Sequence, residues 1–81
     1  MIERLVVIGV GLIGGSLASA VRHRGLASEV IGVAHREETR ALALQNKVVD
    51  RAVAGFTEVS PELAAGDLVV LAVSPRRIAD L

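Results

Sequence analysis

The chain opens on a continuous apolar run instead of an alternating one. Residues 4–10, Arg-Leu-Val-Val-Ile-Gly-Val, therefore predict a strand buried on both faces. Residues 12–24 predict a helix in which Ile13, Leu17, Ala20 and Val21 share one apolar face. Arg22, His23 and Arg24 suit the negative end of that helix, and Gly25 terminates it. A second strand follows at 29–34, around Val30-Ile31-Gly32-Val33. The second helix, 37–46, has acids in its first turn and an apolar face at Ala41, Leu44 and Val48. Residues 48–54 supply a short third strand. Ser60-Pro61-Glu62 opens a short helix, with Ser60 as N-cap and Pro61 at its first position. Residues 67–73 form the strongest strand pattern of the chain, and 75–81 begin another helix.

Strands alternating with helices of this length argue for parallel βαβ units. The expected class is α/β, a Rossmann-type parallel sheet of order 3-2-1-4 flanked by helices and ending after its fourth strand. On this reading residues 1–81 are the first part of a nucleotide-binding domain. The last seven residues begin a helix that has no room to finish, so the domain would continue outside them.

The chemistry concentrates where the first strand turns into the first helix. Gly9-Val10-Gly11-Leu12-Ile13-Gly14 is a Gly-x-Gly-x-x-Gly turn between a strand and a helix. Gly9 allows the tight turn, Gly11 leaves room for a phosphate, and Gly14 lets helix and strand approach. The backbone N–H groups of Leu12 and Ile13 stand at the positive end of the helix, where an anion is favoured. A turn that binds nothing is the plain alternative. A second alternative is a membrane segment, because residues 5–21 carry no charge and Gly11-x-x-x-Gly15 has small-xxx-small spacing. That run is 17 residues, short of the ~20 a spanning helix needs. Glu3 beside Arg4 also denies it the basic start of a signal peptide.

Composition narrows the function classes. Nine basic and nine acidic residues among 81 give no net charge, so no nucleic-acid footprint is visible. Cysteine is absent, which excludes disulfides, thiolate nucleophiles and cysteine-ligated metals. The two histidines, His23 and His35, have no metal-ligand spacing. Aliphatic content is high and Phe56 is the only aromatic, as in an α/β core. No carboxylate pair, Ser/His/Asp set or Walker lysine points to hydrolysis or phosphoryl transfer. A cytoplasmic chain without membrane, metal or nucleic-acid partner is expected.

The end of the second strand bears on the choice of nucleotide. An NAD site places Asp or Glu about 20 residues beyond the glycines, against the ribose 2′-OH. That position holds Ala34, followed by His35 and Arg36. Without a carboxylate a 2′-phosphate is not repelled; Arg36 offers a guanidinium to it and His35 a further hydrogen bond. NADP is therefore expected before NAD. A solvated loop pair is the alternative for His35 and Arg36, whereas Arg40 reads as an exposed helix residue before a phosphate ligand. Glu37 or Glu38 reaching a ribose hydroxyl would restore NAD. Ligands of open α/β sheets lie at the carboxyl ends of the strands, which adds Ala72, Val73 and Ser74. Core packing accounts for Ala72 and Val73 equally well.

Gly9-Val10-Gly11-Leu12-Ile13-Gly14-Gly15-Ser16-Leu17-Ala18 closely resembles the opening of the prephenate and arogenate dehydrogenase family of tyrosine biosynthesis. Arg24-Gly25-Leu26, Val30-Ile31-Gly32-Val33, Glu38-Thr39, Val49-Asp50-Arg51-Ala52 and Asp67-Leu68-Val69-Val70-Leu71-Ala72-Val73 extend the resemblance over essentially the whole chain. Two positions depart from it. Ala34 stands where NAD-linked members carry Asp, and Ser74-Pro75 sets the proline one place late.

The resemblance implies oxidative decarboxylation of prephenate or arogenate with hydride transfer to the nicotinamide. It also implies that the catalytic histidine and the substrate-binding arginine lie beyond these residues, so that no catalytic residue is expected in this chain. A catalytic and dimerisation domain outside residues 1–81, through which a homodimer forms, is implied as well. His23 reads as an exposed helix-end residue. The alternative from another class is a free-standing nucleotide-binding or regulatory module without chemistry.

Overall fold

Four strands pair in parallel in the order β3-β2-β1-β4, as the alternation of elements predicts. The computed structural model describes residues 2–9 and 12–72. Gly11, Val73, Ser74 and the helix expected at 75–81 lie outside the described residues. The elements run β1 (Ile2–Ile8), α1 (Leu12–His23), β2 (Ala27–Val33), α2 (Glu37–Gln45), β3 (Arg51–Val53) and β4 (Leu68–Leu71). Two 3₁₀ turns, Phe56–Glu58 and Ser60–Glu62, lie between β3 and β4.

Both central strands start two residues earlier than their apolar runs. Ile2 pairs with Ala27 and Arg4 with Glu29, so the ladder extends through polar residues that one sheet face leaves half-exposed. β3 shrinks to three residues because its pairing with β2 spans only Ile31↔Arg51 to Val33↔Val53. β4 is four residues long and more exposed than its apolar pattern predicts. Among the described residues it pairs with β1 alone, leaving Leu68, Val69 and Leu71 between 40% and 53% exposed.

The sheet separates two apolar layers. On one face Leu5, Val7 and Val30 pack with Ala18 and Val21 of α1, Ala43 of α2 and Val49. On the other, Val6, Ile31 and Val33 pack under Val59, with Phe56 and Leu63 from the 3₁₀ crossover beside them. The buried positions of both helices differ from those the size of their residues suggests. α1 buries Gly14, Ala18 and Val21 and leaves Leu17 and Ala20 exposed. α2 buries only Ala43, leaving Ala41 and Leu44 in solvent and Val48 half-buried. Small residues let the helix axes approach the sheet; a leucine in the same place would hold them off.

Both helices end in the same hydrogen-bonded motif. In α1, Leu26 N–H donates to Val21 O (3.0 Å) and Gly25 N–H to Arg22 O (3.2 Å), with Gly25 at φ +64. This is the predicted glycine terminus in Schellman form. In α2, Val48 N–H donates to Ala43 O and Lys47 N–H to Leu44 O. There the left-handed position, φ +57, is taken by Lys47. The helix expected at Ser60 forms only one 3₁₀ turn. Val59, not Ser60, precedes it, and no side chain caps it.

Charged side chains tie the amino-terminal half of the sheet together. Arg4 and Arg51 flank Glu29, and Arg51 also pairs with Glu62 across the crossover. Hydrogen bonding to Glu62, with Glu29 close by, strengthens the hold of Arg51 on its proton against a smaller opposing effect of burial. Asp50, in the loop before β3, links α1 and β2: its carboxylate accepts from Arg22 Nε and from Val30 N–H, each at 2.8 Å. Arg22 Nη1 further donates to Lys47 O. These ion pairs lie at the amino-terminal side of the sheet, away from the carboxyl ends of the strands.

Candidate functional site: a dinucleotide cradle at the carboxyl ends of the strands

The glycine turn leaves β1 at Gly9, which adopts φ +89, a conformation that a side chain would disfavour. Its N–H donates to Val33 O at 2.9 Å, fastening the turn to the end of β2. On the other side Ala72 N–H donates to Ile8 O at 2.8 Å, carrying the β4 backbone past the end of β1. The carboxyl ends of β2, β1 and β4 thus meet around the start of α1. This is the point where strand order reverses, since β1 is flanked by β2 on one side and by β4 on the other. Open α/β sheets bind their ligands there.

Gly14 shows why this turn needs its last glycine. A Cβ at Gly14 would overlap the Gly9 carbonyl oxygen and stand 3.0 Å from the Ala72 Cβ and 3.1 Å from Val7 Cγ1. The adjacent Gly15 is under no such constraint, its nearest neighbour being Val48 Cγ1 at 4.0 Å. Gly9, Gly14 and Ala72 therefore form one packed unit beneath the turn. Ala72 is half-buried against the layer that holds Leu5 and Val7.

Leu12 and Ile13 open α1, so their amides belong to the first turn, where the helix supplies no carbonyl partner. No acidic residue stands in that turn. The contrast with α2 is direct, because Glu37 and Glu38 occupy its first turn. The first turn of α1 thus holds no negative charge of its own, whereas that of α2 holds two.

Ala34 is buried, its N–H donating to Val53 O at 2.9 Å. His35 and Arg36 are exposed on the turn that follows, and Arg36 is the N-cap residue of α2 without a capping side-chain bond. Glu37 and Glu38 are exposed as well. Arg40 departs from its expected place as an exposed helix residue. It is half-buried, and its Nη1 donates to Ala34 O at 2.8 Å and to His35 O at 3.0 Å. The missed signal is its spacing, one turn after Arg36, because helical side chains lean back toward the N-terminus.

His23 lies at the far end of α1 and is exposed, with Nδ1–H donating to Ser19 O at 2.7 Å, as a helix-end residue does. Among the described residues no group of acidic or histidine side chains could hold a metal ion. No described helix is long and apolar enough to cross a membrane.

Comparison with known proteins agrees with the architecture. Residues 4–81 match the family described as NADP oxidoreductase, coenzyme F420-dependent. Among solved structures, prephenate dehydrogenase from A. aeolicus, in complex with hydroxyphenyl propionate and NAD+, superposes with a TM-score of 0.81 at 22% identity. The superposition covers 99% of this chain and 27% of that one. The chain thus spans about a quarter of that dehydrogenase's length. No curated protein sequence gives a significant match.

Proposed function

The chain belongs to the coenzyme F420-dependent NADP oxidoreductase family, and from that membership we propose that it binds NADP, in preference to NAD, as the cofactor-holding part of an oxidoreductase. The observation that carries the reading is the pairing of two features at one edge of the sheet. An acid-free helix start sits above the Gly9–Gly14 contact, and a turn bearing His35 and Arg36 follows β2, with no carboxylate at Ala34.

The residues present fit a dinucleotide. Gly9 and Gly14 bring the turn close to the sheet, and the amides of Leu12 and Ile13 would hold the pyrophosphate. Arg36 and His35 would take the 2′-phosphate, Arg36 through its planar guanidinium. Gly11, Val73 and Ser74 complete the proposed set, with Ala72 supporting the turn from below. When bound, the nicotinamide supplies a hydride acceptor or donor. The chain's own part is to fix the cofactor's orientation and to discriminate at the ribose; the acid–base and substrate-holding groups belong to the rest of the catalytic unit.

The prephenate/arogenate type is the finer reading. The Gly-Leu-Ile-Gly-Gly-Ser turn and the likeness to the A. aeolicus dehydrogenase support it. In that case the whole enzyme carries out oxidative decarboxylation in the cytoplasm as a homodimer. The family description favours a second reading, in which coenzyme F420 is the other hydride partner.

Arg36→Ala tests the reading at the ribose. Binding followed by competition against NADPH fluorescence should weaken about tenfold or more for NADP, the loss expected with one hydrogen bond to a charged group. NAD binding should change little. Equal losses for both cofactors would remove Arg36 from the 2′-phosphate site.

A further inference from the structure

Arg40 carries an inference that rests on the NADP reading and deepens it. Its Nη1 bridges two successive carbonyls, Ala34 O at 2.8 Å and His35 O at 3.0 Å. These belong to the last residue before the turn and the first residue in it. The arginine is half-buried, and its own N–H is bonded to Arg36 O at 3.2 Å in the first turn of α2. One residue thus holds the turn at three successive carbonyls, those of Ala34 and His35 through its side chain and that of Arg36 through its backbone.

The bridged groups matter for cofactor choice. A ribose 2′-OH needs an acceptor, whereas a 2′-phosphate needs donors and positive charge. Ala34 has no side-chain acceptor, and the two carbonyls that directly follow β2, those of Ala34 and His35, are the ones Arg40 engages. We propose that Arg40 is a positioning residue for cofactor selectivity: it fixes the His35–Arg36 turn and keeps the Ala34 and His35 carbonyls from serving a ribose hydroxyl.

The test compares the original protein with Arg40→Met and Arg40→Lys, titrating each with NADP and with NAD. Amide spectra of the ligand-free proteins are recorded alongside. Arg40→Met removes the donors at similar bulk. Its NADP-over-NAD preference should fall about tenfold with NAD affinity held or raised, and the amides of His35 and Arg36 should shift before any ligand is added. Arg40→Lys keeps the charge but is one bond shorter, so its preference should fall to an intermediate level.

Equal weakening of both cofactors in Arg40→Met, or a preference that does not move, would overturn the positioning role while leaving the NADP reading intact. Full preference in Arg40→Lys would show that charge alone acts, which also overturns it. Should the original protein itself fail to prefer NADP, the proposed function falls and the inference with it. If Arg40→Met does not fold, Arg40→Lys and its spectra decide the matter.

Discussion

Gly14 lies so close to Gly9 that a methyl group on the first would overlap the carbonyl oxygen of the second. This contact sets the distance between α1 and β1 and therefore the place of the first helical amides. Gly14→Ala should force the turn apart and cost about 1–3 kcal/mol of stability, the range for overpacking a close contact. Gly15→Ala meets only Val48 Cγ1 at 4.0 Å and should stabilise α1 by about 0.5–1 kcal/mol. Thermal unfolding of the two variants checks the contrast. Similar melting temperatures would mean that the Gly14 contact is not what holds the turn.

Lys47 occupies the left-handed position that ends α2, at φ +57. Only its backbone is used there: its N–H donates to Leu44 O and its carbonyl accepts from Arg22. Lys47→Gly retains both bonds and removes the steric cost of a side chain in this conformation. A gain of about 0.5–1 kcal/mol is expected after the extra freedom of glycine in the unfolded chain is discounted. Urea unfolding midpoints measure it.

Acid should loosen the joint made by Asp50. Burial raises the affinity of this carboxyl for a proton, but the Val30 amide and the Arg22 guanidinium outweigh it and hold the group below the usual aspartate value. A depressed folded pKa means that the stabilisation is fully present above the unfolded value of about 4 and is lost as pH falls through the folded one. The original protein should be more stable than Asp50→Asn near neutrality, with the gap closing below pH ~4. Unfolding midpoints across pH check this; a gap that stays constant into acid would contradict it.

Much of this architecture was legible in the sequence because it rests on periodicity. Continuous apolar runs separated by helical patterns imply a parallel sheet, and the glycine turn marks where its first strand gives way to a helix. The helix faces were less legible. Leu17 and Leu44 look like core residues by size, yet the close approach that Gly14, Ala18 and Ala43 permit leaves the leucines outside. Ser60 shows a similar limit, because a capping residue and a proline cannot lengthen a 3₁₀ turn that the crossover keeps short. Arg40 was missed for another reason: its partners are backbone carbonyls, and the one hint in the sequence is its place a helical turn after Arg36. Asp50 likewise acts through the Val30 amide and an arginine far away in sequence.

Ala34 offers the converse of the loss-of-charge variants. Ala34→Asp would set a carboxylate at the end of β2, where a ribose hydroxyl could donate to it and a 2′-phosphate would be repelled. NADP affinity should fall by about tenfold or more, and NAD affinity should rise. Competition binding with the two cofactors reads both changes, and a variant that still favours NADP would detach selectivity from this position.

The most direct test of the account is a calorimetric titration of the protein with NADP and with NAD, side by side. The account predicts one site, tighter for NADP, at the edge formed by Gly9, Gly14, His35 and Arg36. Tighter NAD binding would leave the fold standing and contradict the assignment of the 2′-phosphate to the His35–Arg36 turn. Binding of neither cofactor by the folded protein would contradict the dinucleotide site itself.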